Sequence, residues 1–140
     1  MLCWALVARR VAMLTMCGLL ASLSGLTAAQ DRDAQLAEAE RLNEKVETLY
    51  NMGRYGEAIP LAERALAIGE KVFGAEHPDI ALLLNNLAAL YGAIGDYGRA
   101  EPLLQRAVTI RAKALGPGHP YVAASLNNLA MLYKDKGDYG

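Results

Sequence analysis

Asparagines recur at one fixed interval along this chain, at Asn43, Asn85 and Asn127. An asparagine amide carries both a donor and an acceptor. Recurring at one structural position, it suits the main chain of a bound peptide, which needs both. That chemistry is recognition rather than bond-making, and little else in the chain points to catalysis. The only histidines, His77 and His119, keep the same interval, each just before a proline. They read as helix-start residues, because a metal centre needs several ligands converging on one ion. The cysteines, Cys3 and Cys17, both lie in segment 1–29. No Ser–His–Asp set, phosphate-cradling loop or paired-carboxylate motif is present in the sequence. The expectation is a protein without catalytic residues, metal ligands or cofactor, and not an enzyme.

The elements that must position the asparagines come from the same period. Residues 77–98 repeat as 119–140 with 14 identities in 22 positions, and 53–78 repeat as 95–120 with 13 in 26. A fixed period of this size marks stacked helical repeats. Helix-period apolar stripes place one helix over Asp31–Tyr50 (Ala39, Leu42, Val46, Leu49). A second spans Tyr55–Phe73 (Ala58, Leu61, Ala62, Ala65, Leu66, Ile68). A third spans Pro78–Ile94 (Ile80, Leu84, Leu87, Ala88, Tyr91), and a fourth Tyr97–Leu115 (Ala100, Leu103, Leu104, Ala107, Ile110). A fifth starts at Pro120 (Val122, Leu126, Leu129, Ala130, Tyr133). Pro78 and Pro120 suit a first helical position, and Pro60 is expected near the first turn of its helix. Tyr91, Tyr97, Tyr133 and Tyr139 read as packing residues.

The motifs Asn-Asn-Leu-Ala-x-Leu-Tyr (85–91, 127–133), Gly-Asp-Tyr (95–97, 137–139), Ala100-Glu101-Pro102-Leu103 and Gly-x-x-His-Pro (74–78, 116–120) resemble the tetratricopeptide repeat, in the long-period form seen in kinesin light chains. The resemblance covers about residues 36–140. It implies an all-α fold, a right-handed α-solenoid of antiparallel helix pairs with two full repeats plus the first helix of a third. The expected divisions are 30–76, 77–118 and 119–140. The first repeat departs from the pattern, with Glu44-Lys45-Val46 where later repeats have Asn-Leu-Ala, as suits an end repeat with a wetter outer face.

In that family the first helix of each pair lines the concave surface. Carried over by position, the groove presents Glu40, Asn43, Glu47 and Tyr50, then Leu82, Asn85, Ala89 and Gly92, then Ala124, Asn127, Met131 and Lys134. The expected peptide-binding set is Asn43, Tyr50, Leu82, Asn85, Ala89, Asn127, Met131 and Lys134. Packed helices lie about 8–10 Å apart and an extended chain rises about 3.3 Å per residue. One Asn would therefore meet about every third residue of a partner. The competing reading is that Asn85 and Asn127 bond to a neighbouring helix and fix the stacking. It applies with more force to Asn86 and Asn128, which fall between the two faces.

Segment 1–29 differs in kind. Arg9 and Arg10 precede an uncharged run from Val11 to Ala29 that ends in Thr27-Ala28-Ala29. A positive start, an apolar middle and a small-residue end describe a signal peptide cut after Ala29. The run is also long enough for an uncleaved membrane anchor. Export to the periplasm or the extracellular space follows from the first reading, membrane anchoring from the second.

With 14 basic and 15 acidic side chains, no basic stripe invites nucleic acid. The expected partner is a protein or peptide held in the groove. Two further readings are an adaptor region of an enzyme whose catalytic domain lies beyond residue 140, and an array that self-associates through an apolar side of the fifth helix.

Overall fold

The computed structural model describes the backbone of residues 3–137 and the side chains from residue 25 on, Leu26 excepted. Two compact units are present, Met1–Ala34 and Gln35–Gly140. The second holds the repeats. Most of the 1–29 leader falls on residues whose side chains lie outside this description, as do Asp138, Tyr139 and Gly140. Among the described residues no helix is long and apolar enough to cross a membrane.

Five helices follow in order: α1 (Cys3–Asn51), α2 (Tyr55–Phe73), α3 (Ile80–Ala93), α4 (Tyr97–Leu115) and α5 (Pro120–Lys136). The fold is an all-α solenoid of helix pairs. Helix α1 starts far earlier than the expected Asp31, at Cys3, and no Gly or Pro interrupts residues 26–51. It ends at Gly53, whose φ of 71° is a left-handed value that glycine adopts without steric cost. Gly95 ends α3 in the same way at φ 79°. Helix α3 starts at Ile80, later than the expected Pro78. Asp79 is its N-terminal flanking residue, and the His77 and Pro78 carbonyls accept from Ile80 and Ala81 in a tight turn. Pro120 does open α5. Both histidines act on the backbone: His77 Nδ1 accepts from Asp79 N–H at 3.3 Å, and His119 Nδ1 from Tyr121 N–H at 3.2 Å. Pro60 sits deeper than expected, at the sixth residue of α2.

Packing runs α2 on α3, α3 on α4 and α4 on α5, with α3 also touching α5. Val46 of α1 joins Ala58 and Ala62 of α2, Leu87, Leu90 and Tyr91 of α3, Ala100 and Leu104 of α4 and Leu132 of α5 in one buried cluster. Ile80, Ala81 and Leu84 pack with Ala107 and Ile110 in another. Alanines at the crossings let backbones approach closely. The expected stripes of α1 to α4 are all buried or half-buried. That of α5 is not. Leu84 is fully buried, but its counterpart Leu126 is 49% exposed. Helix α3 is covered on both flanks by α2 and α4, whereas among the described residues only α4 and α3 pack on α5.

Polar ties link successive helices. The Tyr91 hydroxyl donates to Glu63 at 2.6 Å, and the Tyr133 hydroxyl to Glu101 at 2.9 Å. These tyrosines are packing residues whose tips are also tethered, as a hydroxyl removed from water requires. The bond to Glu63, together with burial, raises the Tyr91 pKa. The Tyr133 hydroxyl and then the Lys136 ammonium hold the Glu101 carboxyl below its ordinary value.

The two repeat junctions are filled differently. Gly69 of α2 is buried, and a Cβ there would stand 2.9 Å from Leu83 Cδ1 and 3.0 Å from Ile80 Cδ1 of α3. One period later the counterparts of Gly69 and Leu83 are Arg111 and Ser125. Ser125 is fully buried, and Arg111 Nη1 donates to its Oγ at 2.8 Å and to the Tyr121 carbonyl at 3.1 Å. The first junction gives a leucine room by deleting a side chain, and the second shrinks the leucine and adds a hydrogen-bonding arm.

Two outcomes follow. Gly69→Arg should lower stability by about 1–3 kcal/mol through overpacking. Adding Leu83→Ser should recover part of that loss, because residues in contact are not additive. Thermal melts of the single and double variants measure this. A carboxylate with a depressed folded-state pKa contributes stability above its unfolded value, here near 4.5, and loses it as pH falls through the folded value. The melting-temperature gap between the wild type and Glu101→Gln should therefore be open at pH 7 and close towards pH 3. Asp96, held low mainly by Arg99, adds acid sensitivity of the same sign, so the variant still loses some stability in acid.

Candidate peptide-binding groove

The first helices of the pairs, α1, α3 and α5, frame two adjoining cavities of about 370 Å³ each. The first lies between α1 and α3. Asn43, Val46, Glu47 and Tyr50 line it from α1, and Leu82, Asn86, Ala89 and Leu90 from α3. The second opens between α3 and α5. Asn85, Ala88, Ala89, Gly92 and Ala93 line it from α3, and Asn128, Met131, Leu132 and Asp135 from α5, with Tyr50 and Leu104 at its borders. Tyr50 and Ala89 belong to both, so the two are neighbouring compartments of one trough. Three large apolar side chains in it face solvent: Tyr50 at 42%, Leu82 at 52% and Met131 at 56% exposure. Helix spacing explains their exposure. They sit on the side of their helices away from the partner helix of the pair, where nothing in the repeat covers them.

Of the eight residues expected from the sequence, six line the trough: Asn43, Tyr50, Leu82, Asn85, Ala89 and Met131. Asn127 and Lys134 line neither cavity. Asn127 donates to Met131 Sδ on its own helix at 3.7 Å. The three asparagines therefore do not form a uniform exposed ladder. Asn85 is only 8% exposed, since the α3–α5 contact closes over it. Its Nδ2 donates to Ser125 Oγ at 3.4 Å, and its Oδ1 is buried without a hydrogen-bond partner. Asn43 is half-buried and accepts from Asn86 Nδ2 at 3.2 Å. The bond that ties α1 to α3 thus runs between the two asparagine positions of the motif. At the next junction the corresponding pair is Asn85 and Asn128, and no bond joins them. Asn128 is exposed and lines the same cavity as the unpaired Asn85 oxygen.

Asn86, Asn128 and Asp135 were missed as lining residues because the helix wheel centres each helix separately. A trough between two helices is walled by positions on the flank of each. The signal was present in the doubled Asn-Asn of the motif, whose second member points to the neighbouring helix. Among the described residues no three His, Cys, Asp or Glu side chains are grouped to hold a metal ion.

Comparison with known proteins agrees with this architecture. A sequence profile of the tetratricopeptide repeat matches residues 42–113 and again 79–140. Two crystal structures described as a kinesin-light-chain protein of nearly identical TPR-like repeats, from Podosopora anserina, superpose with TM-scores of 0.65 and 0.64. Both are 33% identical, over 72% of this chain and 48% of theirs. BtubC (BKLC) from P. vanneervenii superposes with a TM-score of 0.65 at 26% identity, over 72% of this chain and 41% of that one. The match therefore spans less than half the length of each of these structures. With the profile covering both repeat junctions and the helix pairs arranged as in these solenoids, the chain belongs to the tetratricopeptide repeat family, in its kinesin-light-chain-like form.

Proposed function

We propose that this protein is a non-catalytic interaction module that holds an extended segment of a partner protein in the trough between α1, α3 and α5. Tetratricopeptide repeats serve as protein-interaction scaffolds, and the observation that carries the finer reading is the solvent-facing apolar row Tyr50, Leu82 and Met131. Isolated exposed apolar residues are ordinary, but these three share cavity linings, Tyr50 with Leu82 in one compartment and with Met131 in the next, and grouped apolar exposure is the pattern of interaction sites. The asparagines supply the polar complement: Asn43 and Asn86 are bonded to each other, and Asn85 has an enclosed amide oxygen without a donor. Each hydrogen bond to a partner adds only about 1 kcal/mol, so the affinity is modest and depends on apolar burial.

A second reading rests on a separate observation. Leu126 leaves an apolar side of α5 uncovered among the described residues, and self-association through that face would bury it. Sedimentation at several concentrations tests this, and a strictly monomeric species argues against it. The leader adds a proposed setting, export of the repeats after cleavage following Ala29, which N-terminal sequencing of the secreted or membrane-bound form checks.

Ala89 borders both compartments, so Ala89→Trp should fill the trough and weaken binding of a groove-selected peptide by at least about tenfold while the melting temperature changes little. Asn85→Ala should cost about 1 kcal/mol of stability and weaken the same peptide several-fold. Lost stability with unchanged binding would assign Asn85 to helix stacking alone. Fluorescence anisotropy with a labelled peptide and a thermal melt measure the two effects.

A further inference from the structure

We infer that the partner segment held by this trough is cationic, an extended stretch carrying Lys or Arg beside apolar side chains. The inference rests on the groove reading above and adds the partner's chemistry to it. Charge along the walls is one-sided. Glu47 lines the compartment between α1 and α3, and Asp135 the one between α3 and α5. Neither compartment is lined by a lysine or arginine. Glu47 and Asp135 take part in no hydrogen bond or ion pair of the described side chains, unlike Glu57, Glu70, Glu76 and Glu101, each of which pairs with a base. Glu40, two turns before Glu47 and so on the same side of α1, continues the acidic edge.

The nearby bases do not neutralise that edge. Arg41 and Lys45 fall on the far side of α1 from the lining positions Asn43, Val46, Glu47 and Tyr50. Helix α3 has no charged residue at all, and Lys136 reaches away to Glu101. Lys134, near the end of α5, lines neither compartment.

A polar side chain stands in the same wall. Asn85 is more than nine-tenths buried, lines the second compartment, and has an amide oxygen with no donor. That oxygen is itself enclosed, so a partner's N–H group meets it only where the α3–α5 contact gives way. A partner offering carboxylates meets two like charges, an arrangement that penalises the wrong ligand. Apolar contact with Tyr50, Leu82 and Met131 then supplies affinity, and the carboxylates supply selection and a faster encounter.

The test is a selection from a random dodecapeptide display library on the full chain, followed by anisotropy of a labelled, enriched peptide. Enriched sequences should carry Lys or Arg next to large apolar residues. Binding should weaken with added salt, and the double variant Glu47→Gln/Asp135→Asn should lose about three- to tenfold in affinity. Glu76→Gln, which removes one carboxylate charge outside the lining of both compartments, should leave affinity unchanged. If the enriched peptides are neutral or acidic, or if the double variant binds as well as the wild type, the charge inference is overturned. In that case loss of binding in Ala89→Trp still upholds the groove. Enriched peptides that bind Ala89→Trp as tightly as the wild type, or no enrichment at all, overturn the groove reading and this inference with it.

Discussion

Helix α3 is 14 residues long and uncharged, and a helix of that length is marginal in water on its own. What holds it is burial on both flanks. Ile80, Ala81, Leu84, Ala88 and Leu90 are all fully removed from solvent by the helices around them. Every other feature depends on this mutual covering. Stability resides in the junctions rather than in any one helix, as in other linear arrays. The trough proposed for binding is the face that the covering leaves open.

That division of labour explains why the walls are chemically unlike the junctions. Where helices cross, alanines such as Ala58, Ala65, Ala100 and Ala107 bring backbones close, and polar tips there are tied to partners, as with the Tyr133 hydroxyl on Glu101, the Asn85 amide oxygen excepted. On the concave side the constraint lifts. Large apolar side chains and unpaired carboxylates are tolerated there because they remain in contact with water until something else covers them.

The period and the helix stripes were legible in the sequence because they are local. Asn-Asn-Leu-Ala-x-Leu-Tyr fixes which residues of a helix share a face, and α2 and α4 fall where their stripes place them. What depends on a neighbour was not legible. Leu126 has the same motif position as Leu84 but a different environment, because burial belongs to the junction and not to the residue. Asn85 looked like a groove residue on the helix wheel, and the approach of α5 encloses it. The apolar stripe placed the start of α1 at Asp31, yet no Gly or Pro interrupts residues 26–51 and the helix passes straight through that point. The N-terminal leader and its consequences for location stand on sequence pattern alone.

The unequal filling of the two junctions reaches beyond stability. A chain built of near-copies risks joining the wrong ones, since α2 resembles α4 and α3 resembles α5 closely enough to exchange places. Gly69 against Leu83 and Arg111 against Ser125 act as two differently cut keys. A mismatched pairing would set arginine against leucine, or leave glycine facing serine across a gap. Among the positions where the copies differ, these two pairs change the fit of the seam itself.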